Sequence, residues 1–136
     1  MSIVAQKGQT TIIINGIPTH LPSAFSDGFS VEDKYIILLD ENYARTNILA
    51  LDQSGNEVWR VQDHGYKNIV TGYQLIYPIY STNNLPTTTF TAFLIGTWYE
   101  VNANNGKIIM SYGDHQKTIY YNKPNTWLQK ILKVFR

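Results

Sequence analysis

Two Asp-His dipeptides, Asp63-His64 and Asp114-His115, are the strongest candidates for chemistry in this sequence. Histidine titrates near neutral pH and binds metals through its ring nitrogens, so each pair could supply a metal ligand or an acid–base couple if the two segments converge. Neighbouring side chains on a strand point to opposite faces, however, and a dipeptide alone chelates poorly. The alternative interpretation is that these are polar residues that merely follow the second strand of a hairpin.

Trp98 and Glu100 form a second candidate position. Glu100 lies in an aromatic segment, and strand alternation places it on the same face as Trp98. An exposed face lined with aromatic side chains explains this arrangement more simply than a buried catalytic acid does. The pattern therefore indicates a binding surface.

The rest of the sequence offers little catalytic chemistry. It has no cysteine, one further histidine at His20, no Gly-x-Ser-x-Gly elbow, no glycine-rich phosphate loop and no His-Glu-x-x-His. We therefore predict no catalytic residue, no metal centre and no cofactor. Six residues stay as candidates for ligand binding: Asp63, His64, Asp114, His115, Trp98 and Glu100.

Composition limits the class of protein further. The chain has 136 residues, of which 43% are hydrophobic and 15% charged, which suits a single domain, residues 1–136, with its own core. The net charge of +1 disfavours nucleic-acid binding, and no apolar run approaches the roughly 20 residues of a membrane span. Residues 1–7 lack the pattern of a signal peptide, so we expect a cytoplasmic protein without a membrane partner.

The charges are unevenly distributed along the chain. Residues 1–70 carry five basic and eight acidic side chains, a net charge of −3, whereas residues 71–136 carry six basic and two acidic ones, a net charge of +4. This asymmetry could guide head-to-tail assembly of copies or attract an acidic partner. Residues 117–123 interleave lysine with tyrosine as base-stacking surfaces do, but the near-neutral total charge favours an ordinary surface strand.

The dominant structural signal is the β-strand. Short runs rich in β-branched and aromatic residues recur along the chain, each ending near Gly, Asn, Asp, Pro or Ser. Their short spacing favours hairpins, so we predict an all-β fold with antiparallel sheets. Pro78 lies within one run and indicates an edge strand or a bulge. The predicted strands are residues 10–15, 34–39, 47–51, 57–62, 72–80, 90–95, 98–101 and 107–112, with a polar loop at 81–89.

The end of the chain has a helical pattern instead. Pro124 and the cap residue Thr126 precede an amphipathic stretch, so we predict a C-terminal helix over residues 126–136. A helix this short is marginal alone, and we expect it to dock on a sheet of this chain or of a neighbouring one. The competing interpretation, a basic membrane anchor, is disfavoured by the small number of positive charges. The apolar stripe consists of Trp127, Leu128, Ile131, Leu132 and Phe135.

Two segments of the chain are similar to each other. Residues 34–65 and 72–116 each contain a strand, an Asp or Asn, a short turn with Gly, a second strand and then an Asp-His dipeptide. The period of about 50 residues is typical of solenoids and propellers. We therefore predict two internal repeats, each built around one hairpin.

The hairpins resemble those of the quinoprotein-type (PQQ-like) β-propellers, in which a blade ends in Ala-x-Asp-x-x-Thr-Gly-x-x-x-Trp. Residues 50–59 (ALDQSGNEVW) match this form with one turn residue deleted and Ser54 in place of Thr. Residues 100–110 (EVNANNGKIIM) keep the full spacing, with Glu100, Asn105 and Met110 at the Ala, Thr and Trp positions. The resemblance implies a small sandwich, a barrel or a partial propeller assembled from such hairpins.

Two units cannot close a propeller ring, which needs at least four blades. The resemblance thus implies either that several chains complete a ring, as a homo-oligomer, or that one chain forms a smaller fold. The family's cofactor is not carried over, because this chain has no matching set of channel residues.

Two functional hypotheses follow. The first is a non-catalytic β-rich interaction module that binds a protein partner or itself through aromatic faces and the terminal helix. The second is a small-ligand-binding protein or hydrolase-like enzyme with a pocket between sheets or in a barrel mouth. The scarcity of catalytic residue types favours the first.

Overall fold

The computed structural model describes residues 2–80, 86–113 and 116–120, and all regular secondary structure in these residues is β-strand. The first sheet contains β1 (Ile3–Val4), β2 (Thr11–Ile14) and β3 (Ile17–His20). The second sheet contains β4 (Phe25–Val31), β5 (Lys34–Leu39), β6 (Ile48–Leu51) and β7 (Glu57–Arg60). The third sheet contains β8 (Leu75–Tyr80), β9 (Pro86–Leu94), β10 (Thr97–Asn102), β11 (Ile108–Gly113) and β12 (Gln116–Tyr120).

Each sheet is a meander in which strands that are consecutive in sequence are hydrogen-bonded neighbours. All described strand pairs are antiparallel, so the predicted all-β antiparallel class is confirmed. Each described sheet ends in two edge strands, which excludes a closed barrel in this part of the chain. The predicted helix at residues 126–136 lies outside the described residues.

The second sheet is the middle layer of the fold. Residues 35–39 of β5 and 48–51 of β6 are all buried, because both faces of this sheet are covered. Ile12 and Ile14 of the first sheet pack on one face, and Phe90 and Tyr99 of the third sheet belong to the core on the other. Continuous apolar runs in place of strict alternation are the expected sequence of a sheet covered on both sides.

The hairpin of β6 and β7 has the turn that its sequence predicts. The Asp52 side chain accepts hydrogen bonds from the backbone N–H groups of Ser54 and Asn56, both at 2.9 Å. Gly55 has a φ of +87°, which glycine adopts without steric cost. The backbone bonds that hold the turn lower the pKa of the exposed Asp52 carboxyl.

The hairpin of β10 and β11 repeats this construction. The Asn102 side chain accepts a hydrogen bond from the Asn104 N–H at 2.8 Å, and Gly106 has a φ of +74°. Both hairpins have a register shift at the corresponding place, between Ala50 and Leu51 in the first and between Glu100 and Val101 in the second. The two hairpins therefore share the Asp or Asn side-chain bond to the turn backbone, a positive-φ glycine and a bulge position, although the second turn is one residue longer. Their origin as a repeat stays a prediction.

Trp59 joins the second sheet to the third. Its ring is 9% exposed and stacks on Phe90 with 6.1 Å between centroids, and its Nε1 donates a hydrogen bond to the Ala103 carbonyl at 2.9 Å. A Cβ on Gly106 would lie 2.5 Å from the Trp59 ring. Only glycine therefore lets the turn of the third sheet approach this closely.

Asn47 makes a second tie between these sheets. It is fully buried, and its Nδ2 donates to the carbonyls of Leu39 and Tyr73 at 2.9 and 2.8 Å. Its Oδ1 accepts from the Tyr73 N–H at 2.7 Å. One amide thus satisfies three backbone groups where the chain passes from the second sheet to the third.

Several strand predictions are confirmed and others need correction. Pro78 lies on β8, which is both an edge strand of the described third sheet and the site of a register shift, as its position indicates. The loop predicted at residues 81–89 is wrong for its last four residues, because β9 begins at Pro86. A strand tolerates proline as its first residue, and threonine favours strands. Residues 81–85 lie outside the described part of the chain.

The structure also contains strands that the sequence pattern does not show. β4 has the sequence FSDGFSV, whose Ser, Asp and Gly residues are poor strand formers. Gly28 is placed there by packing, since a Cβ would lie 3.0 Å from the Ile36 carbonyl oxygen on β5. Tertiary contact with β5 therefore overrides the local preference.

We expect the Trp59→Ala variant to lose about 3–5 kcal/mol of unfolding free energy, because it removes a buried aromatic ring and its hydrogen bond. Urea titration at neutral pH measures the loss. Val58→Ala is the matched control, because Val58 neighbours it on β7 and is 47% exposed; its loss should stay within about 1 kcal/mol. A loss below about 1 kcal/mol for Trp59→Ala would contradict this packing.

Candidate functional site

Asp63 is held by an ion pair in the segment that links the second and third sheets. Arg45 donates from Nε to Oδ2 at 2.8 Å and from Nη2 to Oδ1 at 2.7 Å, and the Gly65 N–H adds a bond to Oδ1 at 2.8 Å. The same guanidinium donates to the Ile69 carbonyl. The hydrogen bonds from Arg45 lower the pKa of Asp63 to about 2. The carboxylate is therefore ionised and committed to fixing this linker.

His64 is buried, with 3% of its surface exposed. Its Nδ1 accepts a hydrogen bond from the Tyr66 N–H at 3.1 Å, so the ring proton lies on Nε2, which donates to the Thr71 carbonyl at 2.9 Å. The ring also packs edge-on against Tyr73, with 5.8 Å between centroids. Both ring nitrogens are engaged with the backbone, which makes His64 a structural residue in this geometry.

The second Asp-His dipeptide, Asp114-His115, lies outside the described residues. The condition for a shared site, that the two segments converge, therefore falls outside the described residues. Within residues 2–80, 86–113 and 116–120, no group of three or more His, Cys, Asp or Glu side chains is placed to hold a metal ion. The adjacent Asp63 and His64 side chains have separate partners, Arg45 and the Gly65 N–H for Asp63 and two backbone groups for His64.

Trp98 and Glu100 lie together on β10, where burial alternates residue by residue. Both side chains point away from the second sheet, whereas Thr97, Tyr99 and Val101 point toward it. The structure therefore has the alternation of inward and outward side chains that the sequence predicts for this strand. It places the candidate acid and the candidate aromatic on the uncovered side of the third sheet.

Aromatic rings from several strands cluster around Trp98. Phe93, its cross-strand partner on β9, lies 4.7 Å away between centroids, and Tyr77 on β8 lies 6.1 Å away. Tyr112 pairs with Trp98 from the other side, on β11, and is 40% exposed. We call this surface the outer face of the third sheet. It consists of Leu75, Tyr77, Thr91, Phe93, Trp98, Glu100, Met110 and Tyr112.

The outer face is apolar and reachable. Leu75 and Tyr77 are 43% and 46% exposed, and Phe93, Trp98 and Met110 are partly buried. Contiguous apolar patches of this kind on a protein surface usually mark a contact with another molecule. Among the side chains that β8 to β11 present on this face, Glu100 is the charged one.

A polar pocket of about 260 Å³ lies elsewhere, beside the loop between β5 and β6. Its lining includes Lys7, Ser26, Asp40, Glu41 and Gln74. Gln74 closes one wall, since its Nε2 donates to Glu41 at 3.4 Å and its Oε1 accepts from the Ile95 N–H at 3.1 Å. Sequence reasoning missed this pocket because its residues come from four separated segments.

Comparison with known proteins adds no assignment: no model of a protein family matches this chain, and no curated protein matches it either. Among the described residues, no helix is long and apolar enough to cross a membrane.

We expect the Asp63→Asn variant to lose about 1 kcal/mol of stability at pH 7, since its Arg45 pair is partly exposed and screened. Because the folded pKa is depressed to about 2 from 3.8, this stabilisation is present above pH 3.8 and disappears as the pH falls to about 2.

Urea titrations at pH 7 and near pH 2 should therefore show a difference between wild type and Asp63→Asn that closes in acid. Asp33→Asn is the control, because Asp33 is more exposed and forms a single bond to the adjacent Lys34. An Asp63→Asn difference that is equal at both pH values would contradict the ion-pair account.

Proposed function

We propose that this protein is a non-catalytic interaction module that binds a protein surface through the outer face of its third sheet. The observation that carries the proposal is the exposed aromatic cluster around Trp98. Trp, Tyr, Phe and Met are enriched at protein–protein interfaces, and rigid aromatic rings give large contact areas at low entropic cost. Four strands present these side chains, so the surface is preformed.

The chemistry of the outer face fits a protein better than a nucleic acid. Phosphate recognition depends on Lys and Arg side chains, and the part of this face that β8 to β11 present contains neither; its charge there is the carboxylate of Glu100. The geometry of His64 likewise supports a non-catalytic protein, because both ring nitrogens are used by the backbone.

The proposal includes a propeller-like arrangement of the sheets. Its support is that consecutive meanders stack face to face and that their hairpins share turn chemistry and a bulge. In this interpretation the three sheets act as part of a larger stack, and copies of the chain extend it as a homo-oligomer. The amphipathic stretch at residues 126–136 is a competing cover for the outer face, within the chain or from a neighbour.

The alternative function, binding of a small molecule, is favoured by the pocket at Asp40 and Glu41. Its polar lining suits a small ligand with hydrogen-bond donors, such as an amine or an amide. A fragment titration followed by NMR would support this function if shifts cluster at the amides of residues 40–42 and 74. Chemical-shift changes scattered over the protein surface would contradict small-molecule binding at this pocket.

We expect the double variant Tyr77→Ser/Trp98→Ser to keep the wild-type unfolding free energy within about 1 kcal/mol, because these rings pack on no other layer of the described protein. The same variant should lose most of the fluorescence of a bound apolar dye such as bis-ANS, because the dye binds the exposed face.

The matched control is Tyr43→Ser/Val70→Ser, which removes two exposed apolar side chains away from the face. It should retain dye binding. If the face variant instead loses as much stability as Trp59→Ala, the outer face is part of the protein's own core and the proposed function is wrong.

A further inference from the structure

We propose that the outer face of the third sheet binds the outer face of the first sheet of a second copy of this chain, so that copies stack head to tail. The outer face of the first sheet consists of Val4, Thr11, Ile13, Pro18 and His20. The inference rests on the proposed function and names its partner. Its basis is that the chain already builds this contact twice, between its own sheets.

Each sheet has a facing pair of residues on the side that points away from the next sheet along the chain. The pairs are Tyr35 with Leu51 in the second sheet, Phe90 with Val101 in the third, and Val4 with Ile13 in the first. The first two pairs are covered by the preceding sheet and are at most 4% exposed. No described sheet precedes the first, and there Val4 and Ile13 are 61% and 40% exposed.

The complementary face also recurs. In the second sheet, Leu38 pairs with Ile48 and Ala50 pairs with Trp59, and all four side chains are buried under the third sheet. At the equivalent register in the third sheet, Phe93 pairs with Trp98 and Glu100 with Met110. These residues form the outer face, on which no described sheet follows. The two ends of the stack therefore present the two halves of one kind of contact.

The glycines in the hairpin turns show the same pattern of covered and uncovered positions. A Cβ on Gly55 would lie 2.7 Å from the Thr19 hydroxyl of the first sheet, and one on Gly106 would lie 2.5 Å from Trp59 of the second. Each turn is thus closed by the strand that follows the corresponding turn in the sheet before it, β3 in the first sheet and β7 in the second. The corresponding turn glycine of the first sheet, Gly16, has no described atom within 4 Å of its Cβ position. Met110, which pairs with Glu100 as Trp59 pairs with Ala50, is the residue placed to fill it.

The chemistry of the two faces is compatible with such a contact. Apolar side chains dominate both, and the first-sheet face of Val4, Thr11, Ile13, Pro18 and His20 has no carboxylate that would repel Glu100. Glu100 stands where the second sheet has Ala50, so a carboxylate enters the contact. We therefore expect association that is reversible and concentration-dependent. Because the two faces differ, the contact is heterologous and extends to a ring or a filament.

Two substitutions, one on each face, test the proposal. Trp98→Glu and Ile13→Glu each place a charge within one face, at a partly buried position on β10 and an exposed position on β2. Urea midpoints identify any variant that has lost its fold. Light scattering should give wild type a mass that rises with concentration toward multiples of 15.6 kDa. Each variant should weaken association about 30-fold or more, as loss of a central interface residue does.

An equimolar mixture of the two variants gives the decisive result. The intact first-sheet face of Trp98→Glu can bind the intact third-sheet face of Ile13→Glu, so the mixture should form a heterodimer with wild-type affinity and nothing larger. Gly16→Asn, which fills the open turn, should also weaken association. Its control is Gly96→Asn, at another positive-φ turn with no described atom within 4 Å of the added Cβ.

Three outcomes would overturn the inference. If only Trp98→Glu weakens association, the third sheets pair with each other, and the proposed function stands. If wild type is monomeric and Trp98 is oxidised by hydroxyl radicals as an exposed residue, the partner is a different protein, and the proposed function again stands. If wild type is monomeric and Trp98 is protected, the chain covers its own face, and both proposals fail.

Discussion

The burial of both faces of the second sheet is the constraint on which the rest of the structure depends. Its two central strands have no polar side, so each face needs a layer of its own. The first sheet supplies one layer and the third sheet the other. Covering a central sheet twice fixes the order of the three meanders and leaves two outer faces on which the described residues place no further layer.

Close approach between layers depends on a contact between one side chain and one turn. Trp59 stacks on Phe90 and donates its indole hydrogen to the Ala103 carbonyl, and Gly106 leaves the space that this requires. The functional interpretation follows from the same geometry. The surface that Trp59 covers on the third sheet faces inward, and the opposite surface carries Trp98 and Phe93 without a described layer above it.

Interactions between residues close in sequence made part of the fold predictable. The Asp-turn-Gly hairpins, the antiparallel class and the outward face of Trp98 and Glu100 follow from turn residues and strand alternation, which act within a few residues. β4 and the start of β9 were not predictable, because packing against β5 and pairing with β10 override weak local preferences there. The Asp63-Arg45 pair and the pocket depend on residues distant in sequence, and no spacing within the chain signals them.

The candidate site residues also differ in whether nearby or distant residues determine their role. Sequence could nominate His64 as a titratable group, but only its surroundings show both ring nitrogens bound to backbone groups. Trp98, by contrast, needed only alternation to be placed on the outer face. Strand periodicity thus located the outward-facing aromatic surface more readily than residue type located chemistry.

Cross-linking between copies tests most directly whether sheets stack between chains as they do within one. The chain has no cysteine, so Met110→Cys and Val4→Cys proteins each carry a single thiol. A bis-maleimide of about 10 Å matches the spacing of stacked sheets. Mixing the two proteins should give a heterodimer cross-linked between positions 110 and 4. Its yield should be higher than the yield of either protein mixed with Val70→Cys, a control with an exposed thiol. Preferential 110-to-110 dimers, or yields equal to the control, would contradict head-to-tail stacking.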